Sequence, residues 1–333
     1  MPSIAVVMAT FNGEEWLDTQ LQSLANQTRL PDRLVISDDG STDDTVKISH
    51  EFARSAPFEV VLLEGPRAGN YGENFWFAGK HAGTDIIAWC DQDDFWYPQK
   101  LQLCEQLMVD HGVQFLSHSA MVTDAALIPT GRIFQYHRRT RVLGPLVGDP
   151  LHEPFGLTTL IRSECLQLVR WDERPNRIWS DVRIGHDEVV ALLSFVAGRR
   201  LEVKDVLVSY RQHGRNNFGT PEPEGFVAHV KHALSTEPAL YSEVAAGAEN
   251  CGRFIAECYP ENKKAIDYFA KYQARCLRRS TFHHSPNRLS GMRNIIVALG
   301  KGDYGRKEHG GFGGLAFARD VVALLLGTKT TSV

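Results

Sequence analysis

Several classes of protein are excluded by what this sequence of 333 residues lacks. It has no uninterrupted apolar run of about eighteen residues, the minimum for a helix that spans a bilayer. Its six cysteines form no CxxC pair and are too sparse for a disulfide scaffold, so buried thiols are expected. The formal net charge is -4, which argues against a nucleic-acid partner. Neither a basic region nor a cleavable apolar segment precedes the first strand-like run, so no export signal and a cytoplasmic location are expected.

Two nucleotide-binding patterns are also absent. Neither GxGxxG nor GxxxxGK(S/T) occurs after the first two apolar runs, so neither a Rossmann dinucleotide site nor a P-loop is indicated. The composition, with 43% hydrophobic and 23% charged residues, is that of a soluble globular protein.

Short apolar runs alternate with helical patterns in the first part of the chain. The runs span residues 4–9, 33–37, 59–63 and 85–90, and each is typical of a strand covered on both faces. Between the first two, Leu17, Leu21 and Leu24 recur at helical spacing. This alternation predicts an α/β domain with a doubly wound, mainly parallel sheet flanked by helices.

Polar residues mark the predicted helix starts. Asn12 and Ser41 are the expected N-caps of the helices that follow the first two strands. Asp187 and Glu188 open an apolar helical run, and the sequence after residue 220 reads as mostly helical.

The most informative segment is Asp91-Gln92-Asp93-Asp94, which follows the fourth apolar run directly. Carboxylates this close repel one another, and hard cations such as Mg²⁺ and Mn²⁺ prefer oxygen ligands. The cluster therefore indicates a cation site. The alternative is an acidic turn, since Asp is common in turns, but the aromatic residues 95–97 that follow favour the functional interpretation.

Other polar residues follow the first two strands in the same way. Thr10 and Asn12 come after the first strand, and Asp38 and Asp39 after the second. Because ligands of doubly wound sheets bind at the carboxyl ends of the strands, these residues and the acidic cluster are expected to meet at one rim.

Five motifs occur in an order that resembles family 2 glycosyltransferases of the GT-A fold. They are Thr10-Phe11-Asn12, Asp38-Asp39-Gly40-Ser41-Thr42-Asp43, Asp91-Gln92-Asp93-Asp94, His186-Asp187-Glu188 and Tyr210-Arg211-Gln212-His213-Gly214. The residues of the third and fifth motifs, DQDD and YRQHG, are most similar to those of bacterial rhamnosyltransferase-like members of this family. The resemblance predicts a nucleotide-sugar-binding and catalytic domain over residues 1–220, followed by a mostly helical region over 221–333.

The resemblance implies an inverting transfer of a sugar, with rhamnose as one candidate, from a nucleoside diphosphate to an acceptor hydroxyl. The expected donors are dTDP or UDP sugars, and the expected acceptor is a glycan or a lipid-linked saccharide of bacterial polysaccharide or O-antigen synthesis. The leaving diphosphate gains negative charge, so a divalent cation, Mg²⁺ or Mn²⁺, is the expected cofactor.

The family pattern assigns roles around the diphosphate. Asp93 is expected to reach the metal and Asp91 the donor ribose. Asp94 either orients the donor or caps a helix from Trp96 onward. His213 is expected to bind the metal or the diphosphate, with Arg211 as a diphosphate partner and Asn216 and Asn217 extending the same loop over the donor.

The remaining site residues concern the base, the nucleoside and the donor loop. Asp187 is the expected general base, and Glu188 replaces it if the register differs by one; both could instead be first-turn helix acids. Asp38 and Asp39 are expected to bind the nucleoside, although an Asp-Gly turn also explains Asp39. The remaining candidates, each with an ordinary loop or cap as the alternative, are Thr10 and Asn12 in the base pocket and Asn70 and Asn74 near the donor.

The last third of the chain combines basic and apolar residues. Residues 271–309 contain nine Lys or Arg against two acids, Asp303 and Glu308, and residues 315–326 are largely apolar. Peripheral contact of 271–326 with anionic lipid at the inner face of the cell membrane is one interpretation. A buried C-terminal helix or a homo-oligomer contact is the other.

Two other functions remain open from the sequence. One is a nucleotidyltransferase that makes the sugar nucleotide, although such enzymes usually begin with a basic, Gly-rich phosphate loop. The other is an inactive glycan-binding protein of the GT-A fold.

Overall fold

The computed structural model of this protein describes residues 1–148, 150, 155–177, 181–216, 238–283, 285, 287–306 and 309–326. These residues contain one ten-stranded sheet and nine α-helices. The strands are β1 (Ile4–Thr10), β2 (Arg33–Asp38), β3 (Glu59–Glu64), β4 (Ile86–Cys90), β5 (Phe95–Trp96), β6 (Phe115–Thr123), β7 (Pro129–Phe134), β8 (Arg141–Leu143), β9 (Thr159–Arg162) and β10 (Arg200–Arg211). The helices are α1 (Leu17–Ala25), α2 (Thr45–Ala53), α3 (Tyr71–Gly79), α4 (Lys100–His111), α5 (His186–Ala197), α6 (Pro238–Cys258), α7 (Lys263–His283), α8 (Arg288–Gly300) and α9 (Gly314–Leu326).

The sheet is mainly parallel, as predicted. Its order is β3-β2-β1-β4-β9-β6-β10-β5, with β7 on β6 and β8 on β10. Strands β1 to β4 are mutually parallel. Because β9 is antiparallel to both β4 and β6, and β10 is parallel to β6, the strands β6 and β10 run in the same direction as β1.

The apolar runs of β1, β2 and β4 are buried because both faces of the sheet are covered, whereas the run at 59–63 forms β3, which is an edge strand and only partly buried. Along β1, Ile4, Val6 and Met8 pack in one core with leucines of α1, whereas Ala5 and Val7 pack in a second core with residues of α3 and α5. The continuous apolar sequence of β1 therefore serves two layers of helices, which confirms the predicted α/β arrangement.

Two predicted helix caps, Asn12 and Ser41, are wrong, and so is the alternative interpretation of Asp94 as a cap. Helix α1 begins at Leu17, well beyond Asn12, whose φ of 45° places it in a left-handed turn that Asn tolerates. Helix α2 begins at Thr45, and Ser41 Oγ donates instead to Asp38. Asp94 caps no helix, because the residues that follow it form β5, which pairs with β10, and α4 begins later.

The chain divides into two compact units. The first comprises Met1–Pro145, Glu153–Val169 and Gly185–Thr220 and contains the sheet; the second comprises Leu146–His152, Arg170–Ile184 and Pro221–Val333 and contains α6 to α9. The predicted domain boundary at residue 220 lies outside the described residues and stays a prediction. Within the described part of the chain, no helix is long and apolar enough to cross a membrane. All six cysteines are free and five are buried, so the thiol prediction is confirmed except at the half-buried Cys165.

Candidate functional site

The loops that leave the parallel strands lie side by side at one rim of the sheet. In the register of β1 with β2, Thr10 pairs with Asp38, and in the register of β1 with β4, Met8 pairs with Cys90. The acidic segment 91–94 begins immediately after Cys90. The three polar segments that the sequence places after strands are therefore neighbours in space.

Gln92 joins the acidic segment to the loop after β1. Its Nε2 donates to Phe11 O at 3.0 Å and its Oε1 accepts from Phe11 N at 3.0 Å. The side-chain amide of Gln92 thus pairs with both the N–H and the C=O of Phe11, as the backbone of a neighbouring strand would. A Cβ added to Gly13 would lie 2.3 Å from Gln92 Oε1, so this pairing needs glycine at position 13.

Replacing Gly13 with alanine is expected to displace Gln92 and to lower the free energy of unfolding by about 1 kcal/mol, the net worth of a hydrogen bond or two near the surface. In a Gln92→Ala background the same change is expected to be neutral or slightly stabilising, because alanine restricts the unfolded chain. Urea denaturation of the four variants of this cycle measures the coupling. Equal costs of Gly13→Ala in both backgrounds would refute the contact.

A network of hydrogen bonds fixes the residues predicted to bind the nucleoside. Asp38 accepts from Thr10 Oγ1 at 2.9 Å and from Gly40 N and Ser41 N at 3.1 and 2.8 Å. Asn12 Oδ1 accepts from Thr42 N at 2.8 Å. Thr10 is buried, Asn12 is exposed and Asp38 is half-buried. The network orders the loops of the rim.

The acids and amides of the predicted donor loop also have internal partners. Asp39 accepts from Ala68 N and Gly69 N at 3.2 and 3.0 Å, which attaches the loop before α3 to β2. Asn70 is the N-cap of α3, accepting from Gly72 N at 2.8 Å. The buried Asn74 donates to Ser37 O at 2.8 Å. The alternative interpretation as a cap therefore matches Asn70, whereas Asn74 is neither a cap nor a loop residue but lies inside α3 and attaches that helix to β2.

Asp93 and His213 meet although they are far apart in sequence. His213 Nε2 lies 2.8 Å from Asp93 Oδ2, and Asn216 Nδ2 lies 3.5 Å from the same oxygen. The two side chains are 17% and 9% exposed, so a ligand can still reach them. The structure thus brings together the two residues predicted as metal ligands; Asn217 lies outside the described residues.

Trp16 supports this pair, and sequence reasoning missed it. The imidazole of His213 stacks on the Trp16 ring with 5.0 Å between centroids, and the guanidinium of Arg211 lies 4.6 Å from the same ring. The salt bridge of Arg215 with Glu15 attaches the same loop to the residues before α1. The only sequence signal for Trp16 is an aromatic residue just before a predicted helix.

Arg211 is buried with unused hydrogen-bonding capacity. It is 4% exposed, and its Nη1 donates to Ala125 O at 3.1 Å. Its Nε and Nη2 have no hydrogen-bond partner in the described part of the chain. Because buried donors are nearly always paired, two unpaired guanidinium donors indicate a place for an anion such as a diphosphate.

The three carboxylates of the acidic segment have different surroundings. Asp94 is fully buried, and its Oδ1 accepts from Arg211 N at 3.0 Å. Burial and the charges of Asp93 and Asp91 raise the pKa of Asp94 well above its usual value. Burial, together with the charges of Asp93 and Asp187, raises the pKa of Asp91 to about 8. A further negative charge beside Asp93 is therefore unfavourable here, and a bound cation would offset that cost.

Lys100 is a buried counter-charge to these acids that sequence reasoning did not identify. It is fully buried, its Nζ donates to Leu157 O at 2.8 Å, and the same atom lies 3.4 Å from the centroid of the Trp96 ring. Burial lowers the pKa of Lys100 to about 8, against the charges of Asp94 and Asp91, which raise it. A lysine at the first position of a helix gives no sequence signal of this role.

Asp187 and Glu188 lie in the first turn of α5, but their environments differ. Glu188 is buried and accepts from Gly185 N, so it caps the helix. Asp187 accepts from Gly156 N and Glu188 N at 3.0 Å each, and its side chain is 14% exposed. Of the two candidate bases, Asp187 is therefore the more accessible.

His186 packs beneath this turn as an uncharged ring. It is 2% exposed, stacks on Phe75 with 4.2 Å between centroids, and meets Trp89 edge-on. Burial lowers the pKa of His186 to about 4. The imidazole therefore packs as an aromatic ring between the start of α5 and residues of α3 and β4.

A hard divalent cation fits the Asp93 and His213 pair only together with other ligands. No three His, Cys, Asp or Glu side chains of the described residues form a group that could hold a metal ion. Mg²⁺ usually binds one or two carboxylates, with substrate phosphates and waters as the remaining ligands. Two protein ligands beside the unpaired donors of Arg211 suit an ion that binds with a diphosphate.

Part of the sequence matches a known protein family. Residues 5–164 match the model of the glycosyl transferase family 2. The dTDP-rhamnosyl transferase RfbG of Shigella flexneri is 35% identical over 129 residues, which are 38% of this chain and 43% of that protein. A β-1,3-glucosyltransferase of Escherichia coli, WfgD, is 27% identical over 113 residues, 34% of this chain and 44% of that one. The chain spans less than half the length of these curated relatives.

Solved structures support the fold. The structure of Staphylococcus aureus TarS 1–349 with UDP-GlcNAc superposes with a TM-score of 0.53 at 16% identity, covering 91% of this chain and 93% of that one. The complex of the same protein with UDP gives a TM-score of 0.52 and covers 97% and 89% of the two chains at 16% identity. At this identity the likeness concerns the fold alone.

Proposed function

We propose that this chain transfers a sugar from a nucleoside diphosphate to an acceptor hydroxyl, because its residues 5–164 match the model of the glycosyl transferase family 2. The observation that supports this most strongly is that Asp91 and Asp93 lie at the rim of the sheet with Asp187 near enough for its charge to raise the pKa of Asp91. A donor site and a base are the two parts that the reaction needs, and these residues supply both.

The donor diphosphate is proposed to bind between the acidic segment and the end of β10. The unpaired Nε and Nη2 of Arg211 are free to donate to phosphate oxygens, and the fork geometry of a guanidinium suits them. Trp16 holds Arg211 and His213 on one ring, so both are oriented before the donor arrives. Charge that develops on the leaving diphosphate would meet donors already in place.

Asp93 and His213 are the residues proposed to hold a divalent cation, Mg²⁺ or Mn²⁺. When bound, such an ion neutralises negative charge on the diphosphate. Asp91, whose pKa is raised to about 8, is proposed to lose its proton when positive charge enters the site and then to accept from a ribose hydroxyl.

Asp187 is proposed to accept the proton of the acceptor hydroxyl. Such a hydroxyl has a pKa far above neutrality, so a base must remove the proton as the new bond forms. The hydrogen bonds from Gly156 N and Glu188 N fix the carboxylate in one orientation. Attack from the face opposite the diphosphate inverts the anomeric carbon.

The names of the relatives suggest substrates. A dTDP sugar, with rhamnose as the first candidate, follows the name of RfbG. A lipid-linked saccharide as acceptor agrees with the name of WfgD, which gives α-D-GlcNAc-diphosphoundecaprenol as the acceptor of that enzyme. Bacterial polysaccharide synthesis is the process proposed for this transfer.

A thermal-shift screen of dTDP, UDP and GDP sugars with Mn²⁺ tests the donor site. A donor at about a hundred times its Kd adds about 2.7 kcal/mol of stability, which corresponds to a rise in Tm of about 4 °C for a chain of this length. Turnover is then followed by release of the nucleoside diphosphate. Stabilisation by none of the donors would contradict the proposal, and release of pyrophosphate from a nucleoside triphosphate and a sugar phosphate would favour a nucleotidyltransferase.

A further inference from the structure

Helix α8 exposes a row of apolar side chains to solvent. Leu289 is 85% exposed, Ile296 61% and Leu299 51%, and Met292 between them is also exposed. At about 100° per residue these four side chains fall within an arc of about 80°. A surface helix of a globular unit normally buries its apolar stripe against the core. In α8 these four apolar side chains face solvent instead.

Helix α9, which packs against α8, also exposes apolar side chains. The two helices are in contact, since a Cβ added to Gly291 would lie 2.6 Å from Leu324 Cδ1. Leu315 is 86% exposed and Leu325 61%. Two helices of one unit therefore both present large apolar side chains to solvent, and those of α8 form a stripe rather than single scattered residues.

Among the described residues 287–306 and 309–326, the exposed charged side chains are all positive. Arg288 and Arg293 lie on α8 at the two edges of its apolar arc, and Lys301 follows the end of the helix; all three are exposed. The two acids within the described residues 287–306 and 309–326, Asp303 and Asp320, are 1% and 0% exposed.

Buried ion pairs remove these two acids from the surface. Arg278 donates from Nε to Asp303 Oδ2 at 2.7 Å and from Nη2 to Asp303 Oδ1 at 2.6 Å. Arg279 Nη2 lies 2.8 Å from Asp320 Oδ1. The two carboxylates are thus paired inside the unit and contribute no negative charge to its surface. What remains outside is an apolar stripe with basic edges.

We propose that this surface, formed by the exposed apolar residues of α8 and α9 with Arg288, Arg293 and Lys301, docks on an anionic lipid surface. Apolar burial combined with attraction to anionic headgroups is the way amphipathic helices lie in the interface of a bilayer. A second copy of the chain fits less well, because a two-fold contact would oppose these basic residues with their own copies. The proposal does not depend on the proposed sugar transfer.

Sedimentation of the full chain with vesicles tests this surface. Binding to phosphatidylcholine vesicles that contain about 30 mol% phosphatidylglycerol is expected, with little binding to pure phosphatidylcholine and a marked loss at about 0.5 M NaCl. Replacing Leu289 and Ile296 with glutamine is expected to lower the partition coefficient about tenfold or more. Replacing Arg288 and Arg293 with glutamine is expected to lower it about fivefold for each charge removed.

Matched controls lie in the other unit. Val109, which is 49% exposed on α4, and Lys80, exposed at the end of α3, are replaced with glutamine, and neither change is expected to alter binding. Leu289→Gln alone serves as a second test, because a side chain that is 85% exposed is not needed for folding. Circular dichroism of each variant checks the fold.

Three results would overturn the proposal. The first is absence of binding to the anionic vesicles. The second is equal binding of the wild-type chain and the α8 variants. The third is a concentration-dependent dimer, measured by light scattering, that the α8 variants abolish, because the surface would then join two copies.

Discussion

Replacing Asp187 with asparagine is expected to lower turnover by about 10²- to 10⁴-fold while donor affinity stays within about twofold. The carboxylate is the accessible acid of α5, and its loss removes the only base proposed for the acceptor hydroxyl. Asparagine keeps one of the two acceptors for Gly156 N and Glu188 N, so the turn that precedes the helix is preserved in part. Release of nucleoside diphosphate measures turnover, and calorimetric titration measures donor affinity.

Glu188→Gln is the matched control for this prediction. Glutamine also forms capping boxes, so it can accept from Gly185 N as Glu188 does, while the charge is lost. Turnover within about threefold of the wild type is expected. Normal turnover of Asp187→Asn would contradict the mechanism, and loss of turnover in Glu188→Gln alone would transfer the role of base to Glu188.

The strands of the first half and their shared rim could be predicted because the relevant signals are local. An apolar run such as residues 4–9 indicates a strand covered on both faces, and parallel strands bring their carboxyl ends to one edge. The placement of Thr10 beside Asp38 and of the acidic segment beside them follows from these two facts.

The wrong caps came from contacts that are distant in sequence. Asn12 is a good N-cap by type, but its side chain binds Thr42 and its backbone adopts a left-handed turn. Asp94 precedes residues that could begin a helix, but Trp96 pairs with Val208 in the sheet instead. Local propensity was overruled in both cases by pairing that the sequence does not display.

The supporting residues of the candidate site were missed for a related reason. Trp16, Gln92 and Lys100 have side chains whose roles depend on partners in other elements of the fold. Trp16 stacks on His213, which is almost two hundred positions away in the sequence. No pattern of composition or spacing around Trp16 predicts that contact, whereas charged residues in a recognisable motif, such as Asp93, predict chemistry wherever their partners lie.

Replacing Asp93 with asparagine is expected to lower metal-dependent turnover on the order of 10³-fold. Asparagine is close to Asp93 in shape and can still bond His213, so the loop from 211 to 216 is expected to keep its place. The negative charge is lost, however, and a hard cation binds a neutral amide oxygen more weakly than a carboxylate.

Donor affinity separates a metal role from a structural one for Asp93. In the wild-type chain, Mn²⁺ is expected to raise the affinity for the nucleoside diphosphate, and chelation of the ion is expected to remove that gain. In Asp93→Asn the affinity is expected to equal the chelated wild-type value with or without Mn²⁺, as measured by calorimetric titration. Asp44→Asn, at a surface carboxylate whose side chain is 63% exposed, is the control and is expected to respond to Mn²⁺ normally. If Asp93→Asn still gained affinity from Mn²⁺ while turnover fell, Asp93 would act on the diphosphate through His213 rather than through a cation, because only a ligand of the ion can couple the two bindings directly.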